Sequence, residues 1–374
     1  MINFKKYDLK NYNISLIIIV TVLSMIGIFL ISIVQKDTER LFEKQILGLV
    51  AGLTIAVVVS FIDYRFIGRF FIIFYIINLG LLIAVKLYGK NVYGATRWLV
   101  LKYFTFQPSE LSKVIMIIFF AKLFTIFKEK LNTFPVVLLS IVTFAIPIYL
   151  VLSQPDLSSS LVFVFVFLMM IYVAGLKYKI IIPALLIGIP LFLGLFWYVQ
   201  QDYQAILSPS QQLRVLSIIN PEEYAGTMYQ QENSITVIGS GKLTGKLLQE
   251  EGTEAILSDT YVPVSESDFI FSVVGEAFGF IGAFLVLLLY VIIIVKCLMV
   301  ARNSPDYMGM LIASGVACMF MFQVFVNVGV VTAILPNTGL PLPFLSYGLS
   351  SLVSSFIAIG LVLNISLQKN KRRR

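Results

Sequence analysis

Ile14-Ser15-Leu16-Ile17-Ile18-Ile19-Val20-Thr21-Val22-Leu23-Ser24-Met25-Ile26-Gly27-Ile28-Phe29-Leu30-Ile31-Ser32-Ile33-Val34 is the stretch on which the reading of this chain turns. It passes without one charged side chain, and as a helix it covers the ~30 Å of bilayer hydrocarbon. It is too long for a signal-peptide core and no small-residue cleavage site follows, so it reads as a first, uncleaved span. The whole chain agrees: 59% hydrophobic, 13% charged, mean hydropathy +0.93. Soluble domains carry about 45–50% apolar and about 25% charged residues.

Nine further apolar runs follow, giving ten expected spans: 14–34, 46–62, 66–85, 114–127, 134–152, 157–175, 180–199, 269–295, 307–335 and 346–367. The expectation is an all-α polytopic membrane protein forming one domain over 1–374. An even number of spans puts both termini on one side, and charge decides which. A cytoplasmic N-terminus gathers Lys5, Lys6, Lys10, Arg65, Arg69, Lys122, Lys128, Lys130, Lys177, Lys179, Lys296 and Arg302 inside, with the tail Lys369, Lys371, Arg372, Arg373 and Arg374. Only Asp8, Asp63, Glu129 and Asp306 oppose them there. Both termini are therefore expected in the cytoplasm. The tail reads as an orientation signal with weak attraction to anionic membrane lipids.

Between the seventh and eighth spans lies one large loop, about 200–268, expected to be extracellular, with ten of the 20 acidic residues. Gly239-Ser240-Gly241 within it reads as a tight loop. The chain has no histidine, and Cys297 and Cys318 both lie in apolar runs. Histidine-based triads, zinc sites and a disulfide framework are excluded. The net charge of +8 is scattered, so nucleic acid is excluded as a partner.

Four segments hold unusual polar content at membrane depth. Arg97-Trp98 and Gln107-Pro108-Ser109-Glu110 come first, with Lys113 one helical turn beyond Glu110 and able to pair with it. Plain helix-start grammar explains Pro-Ser-Glu, but ionisable groups beside lipid usually point into a bundle or wet cavity. Trp98 has a simpler use as an interface anchor. Gln154-Pro155-Asp156-Leu157 reads most simply as a cap for the sixth span. Thr338-Gly339-Leu340-Pro341-Leu342-Pro343-Phe344, running into Ser346-Tyr347-Gly348, cannot continue a helix, yet is too apolar for a free loop. Last, Asp268 precedes Glu276 by two helical turns, on nearly one face. A helix cap is the bland reading of Asp268. Phe269, Ile270 and Phe271 hem it, and such apolar bulk raises a carboxylate's pKa unless a cation such as Arg97 or Lys113 offsets it. Without histidine, a general base must be a carboxylate, lysine or tyrosine.

Together these motifs resemble the SEDS family (shape, elongation, division and sporulation) over essentially the whole chain, closer to its RodA branch than to FtsW. Glu266, Ala277, Lys242 and Ser158 depart from the family's usual residues, but the acid itself is present. The resemblance implies a peptidoglycan glycosyltransferase that polymerises lipid II on the outer face of the cytoplasmic membrane. Asp268 would be the general base. Arg97, Trp98, Glu110, Lys113, Asp156 and Glu276 would bind substrate. Arg97 or Lys113 would neutralise the departing diphosphate, ahead of a divalent cation (Mg or Mn) held by Asp268 and Glu276. A class B penicillin-binding protein is the implied partner. The alternatives are a lipid II flippase and a scaffold without catalysis, and the crowding of special residues on the outer side argues against a transporter.

Overall fold

The computed structural model describes residues 7, 9–34, 41–92, 95–100, 105–201, 203–207, 209–220, 223–248, 256 and 262–368. The basic tail, Lys5, Lys6 and Asp8 lie outside them. Thirteen helices are described: α1 Ile14–Val34, α2 Leu41–Ser60, α3 Tyr64–Ile67, α4 Phe71–Tyr88, α5 Pro108–Ile126, α6 Phe134–Leu152, α7 Leu157–Val173, α8 Tyr178–Val199, α9 Pro209–Ile219, α10 Ala225–Ser240, α11 Ile270–Arg302, α12 Tyr307–Val331 and α13 Leu349–Leu367. A helix forms over each of the ten apolar runs, α3 passing into α4 through a single 3-10 turn. Eight of these helices are long and apolar enough to cross a membrane. The other two are α7, with 17 residues, and α5, which carries Glu110, Lys113 and Lys122. The protein is a multi-pass membrane protein.

α12 and α13 form the centre, with 72% and 78% of their apolar windows buried, whereas α8 buries none of its own. α4, α6 and α8 present isoleucine, leucine and phenylalanine outward. In water such a surface would be untenable, but lipid accepts it. α2 lies along α13, where Gly48 and Gly52 leave room for Leu349, Leu352 and Phe356.

Among the described residues the structure departs from the all-α expectation in a small sheet, apart from an isolated bridge between Tyr7 and Gln368. Between α4 and α5 runs a small antiparallel sheet of β1 Lys90–Val92, β2 Ala95–Val100 and β3 Thr105–Phe106, in the order β1-β2-β3. Lys90 pairs with Trp98 and Leu99 with Phe106. Strands this short carry little periodicity, so sequence pattern misses them. Boundaries also shift: α11 runs on to Arg302, α12 stops at Val331 and α13 starts at Leu349. Gly239 and Ser240 close α10, and the expected tight turn follows them.

The proline-rich segment 332–348 is irregular, buried or half-buried from Thr338 onward, and its backbone groups find partners. Gln231 donates to the carbonyls of Val330 (2.7 Å) and Leu335 (2.8 Å), and Ser234 to that of Val331 (2.8 Å). Tyr290 donates to the Pro343 carbonyl. Gln45 donates to the Ser346 carbonyl (3.0 Å) and accepts from the Gly348 amide (3.3 Å). These bonds hold Ser346, Tyr347 and Gly348 out of α13. Gln45→Ala strands a buried carbonyl and a half-buried amide and is expected to cost about 1–3 kcal/mol, read as a lower apparent Tm of detergent-purified protein. Thr54→Ala, whose hydroxyl bonds only its own helix at Val50, is the control expected to leave Tm unchanged.

Candidate active site

Asp156 gathers the first half of the site. It caps α7, accepting from the Ser159 amide (3.1 Å) and the Ser158 hydroxyl (3.0 Å) on one oxygen. Its other oxygen accepts from Ser109 (3.1 Å) and Gln107 (3.3 Å), at the start of α5. Pro108 suits this position because its missing amide proton is not needed in a first helical turn. From β2, Arg97 comes within 3.8 Å of Asp156 and donates to the Pro155 carbonyl. Burial pushes the Asp156 carboxyl up, but Arg97, Ser159 and Ser158 outweigh it and hold it below the usual carboxylate range. The cap reading is right, and Asp156 also fixes the arginine.

Asp268 gathers the second half. It is not the cap of α11, a position that falls to Phe269. Its carbonyl is held by Asn327 (2.8 Å), which also holds that of Leu340 (2.7 Å). Ser346 donates to the Ser267 carbonyl (2.6 Å), and the Tyr347 amide to that of Glu266 (2.8 Å). The motif from Thr338 to Gly348 is thus the bed on which the acid lies. Gly339, at φ +68°, is packed so closely that a Cβ there would stand 3.0 Å from a carboxylate oxygen of Asp268. Burial pushes the Asp268 carboxyl up, with Asp156 adding to it, while Ser267, Arg97 and Arg214 pull back; the net direction is upward.

Sequence reasoning missed Arg214. It lies on α9 in the large loop, where burial and Arg97 push its pKa down and Asp268 and Asp156 oppose them. Two arginines and two aspartates therefore share one electrostatic neighbourhood. The only hint in the sequence was a lone arginine in Gln211-Gln212-Leu213-Arg214.

Other expected residues are engaged elsewhere. Lys113 pairs with Glu110 at 2.8 Å, both buried within α5. Glu276 pairs with Lys246 at 2.6 Å. Trp98 sits on β2, half-buried, opposite Lys90. Among the described residues no three acidic or thiol side chains gather as a metal site. Lys246 takes up Glu276, so a divalent ion shared by Asp268 and Glu276 does not fit this arrangement.

Fold and site together define a membrane-embedded protein whose titratable and polar groups gather near the starts of α5, α7, α11 and α13. The family of FtsW, RodA and SpoVE cell cycle proteins matches residues 11–371, and the chain belongs to it. The probable peptidoglycan glycosyltransferase FtsW of Trichlorobacter lovleyi is 30% identical over 374 aligned residues, covering 97% of this chain and 95% of that protein. Peptidoglycan glycosyltransferase MrdB of Escherichia coli K12 is 32% identical over 329, covering 87% and 85%. A solved structure describing the coordination of polymerization and crosslinking by a peptidoglycan synthase complex superposes with TM-score 0.77 at 26% identity, covering 95% of this chain and 97% of that one.

The two aspartates should answer neutralisation with opposite signs. The raised Asp268 makes the native state bind its proton more tightly, so stability falls as pH rises from the unfolded carboxylate value through the native one. Asp268→Asn is therefore expected to raise apparent Tm at pH 7.5. The lowered Asp156 contributes stability above the unfolded value and loses it as pH falls toward the native one, so Asp156→Asn is expected to lower Tm. Differential scanning fluorimetry of both variants checks the pair.

Proposed function

We propose that this protein is a peptidoglycan glycosyltransferase that polymerises lipid II at the outer face of the cytoplasmic membrane. The observation that carries the reading is Asp268: a carboxylate with raised proton affinity, bedded on a rigid segment and faced by Arg97 and Arg214. Support also comes from the family and from relatives named as peptidoglycan glycosyltransferases. A partly open cavity of about 720 Å³ lies between α2, α13 and the start of α5, lined by Leu47, Ala51, Phe106 and Val353 with Lys44 and Ser350. Its apolar wall suits a polyprenyl chain. Ser350 accepts from the Gln107 amide (3.0 Å), so the cavity adjoins the residues that hold Asp156.

In the proposed step Asp268 takes the proton of the acceptor sugar's 4-hydroxyl as that oxygen attacks the anomeric carbon of the donor. The bond from that carbon to undecaprenyl pyrophosphate breaks, configuration inverts, and a β-1,4 linkage forms. Arg97 and Arg214 meet the charge that develops on the departing diphosphate. The same reading has ten spans, both termini cytoplasmic and the loop 200–268 outside, since that orientation places the basic loops inward. A class B penicillin-binding protein is the proposed partner, in keeping with the synthase complex this fold resembles. A RodA-type role in cell elongation and shape is proposed with it.

Purified wild-type protein, with and without the cognate transpeptidase, is expected to polymerise labelled lipid II. Asp268→Asn should lose ~10²–10⁴-fold in rate, as expected for a general base. Arg97→Ala and Arg214→Ala should each lose about 10²–10³-fold, the scale of one stabilising donor. The acid limb of kcat/KM should lie above the ordinary carboxylate value because burial raises Asp268. Equal activity of wild type and Asp268→Asn would remove the base assignment, and no polymer under any condition would favour a flippase or scaffold.

A further inference from the structure

By length α11 is one helix, but its backbone makes it two. At Gly279 the chain takes φ 64° and ψ −165°. The amides of Phe280 and Ile281 then donate to the carbonyls of Lys242 (2.9 Å) and Leu243 (3.1 Å), in the turn that follows α10. The two segments meet backbone to backbone. A Cβ at Gly241 would lie 2.0 Å from the Gly275 carbonyl oxygen, and one at Gly245 2.2 Å from that of Ala277. Directly beyond, Lys246 reaches Glu276 at 2.6 Å, and the glutamate side chain is wholly buried. A carboxylate within a membrane helix is costly without a cation. The turn supplies both what the broken backbone lacks and what the buried charge needs.

This joint connects the two halves of the catalytic pair. Before the break in α11 is the segment 270–278, whose head carries Asp268. Before the turn is α10, packed along α11, and on α10 rests α9 with Arg214. Gln231 and Ser234 tie α10 in turn to the end of α12, from which the bed of Asp268 continues. The base and the arginine facing it are thus carried by two arms that meet at Lys246 and Glu276.

We propose that Lys246 and Glu276 are positioning residues, which lock the extracellular loop into the break of α11 and so set Arg214 opposite Asp268. The inference rests on the polymerase reading for its kinetic consequence, but the joint has a readout of its own. Neither residue touches substrate in this account. Glu276 therefore leaves the set of substrate-binding candidates, and Lys246 enters as a residue that acts through others.

The test uses the full-length protein in detergent and the double variant K246M/E276Q, which removes both charges and leaves neither buried alone. In wild type, hydrogen exchange at the Phe280 and Ile281 amides is expected to be as slow as in mid-helix; fast exchange there overturns the joint itself. In the double variant, exchange is expected to rise across α9 and 262–269, with kcat for lipid II polymerisation falling about 10-fold or more and KM staying within about 3-fold. Lys246→Arg, which keeps the pair, should retain wild-type exchange and turnover. Unchanged exchange in the double variant, a wild-type kcat despite raised exchange, or equal loss in Lys246→Arg would each overturn the proposal. Raised exchange with no polymer from wild type would instead overturn the polymerase reading and leave the joint standing.

Discussion

Inside a bilayer no water completes a broken hydrogen bond, so every backbone amide, carbonyl and charge at that depth must find its partner within the protein. The architecture of this chain follows from how it meets that demand where its helices stop being helical. The segment after α12 is satisfied by side chains from α2, α10 and α11: Gln45, Gln231, Ser234 and Tyr290. The break in α11 is satisfied by two loop carbonyls. Each repair draws a distant part of the chain to one end of the bundle. That is why an irregular segment, a polar loop and four helix starts share one site.

Charges obey the same constraint more strictly. Asp156 with Arg97, Glu110 with Lys113 and Glu276 with Lys246 are each paired. Asp268 differs, because it forms no ion pair among the described residues. Arg97 and Arg214 act on it from beyond ion-pair distance, so burial wins and its proton affinity rises. The scaffold that pairs those three carboxylates leaves Asp268 without a pairing cation among the described residues.

Much of the fold was legible because an apolar run long enough to span has few alternatives. Helices stand over all ten runs, and the expectation of irregular buried backbone at Thr338–Gly348 held for a physical reason, since prolines there forbid helix and apolar side chains forbid exposure. The sheet was not legible: β1 and β3 are too short to show alternation, and β2 takes its place from partners rather than pattern. Asp268, Asp156 and Arg97 were visible as polar groups set against apolar sequence. Arg214 was not, because a loop rich in polar residues offers no contrast against which one arginine stands out.

By itself, the sequence determined that this is a membrane protein, roughly where its apolar helices lie, and where polar groups stand against apolar sequence. Those are local properties, written in run lengths and in the misplacement of a polar residue beside lipid. Tertiary structure decided the pairings. Glu276 looked like a companion of Asp268 at two helical turns, but Lys246, 30 residues earlier, claims it. Lys113 does pair with Glu110, as their spacing on one helix had indicated, because there distance in sequence and distance in space coincide. A buried charge takes whichever partner the fold brings nearest, and Coulomb energy in a low-dielectric interior depends on distance in space. Sequence spacing measures that distance only along a single helix.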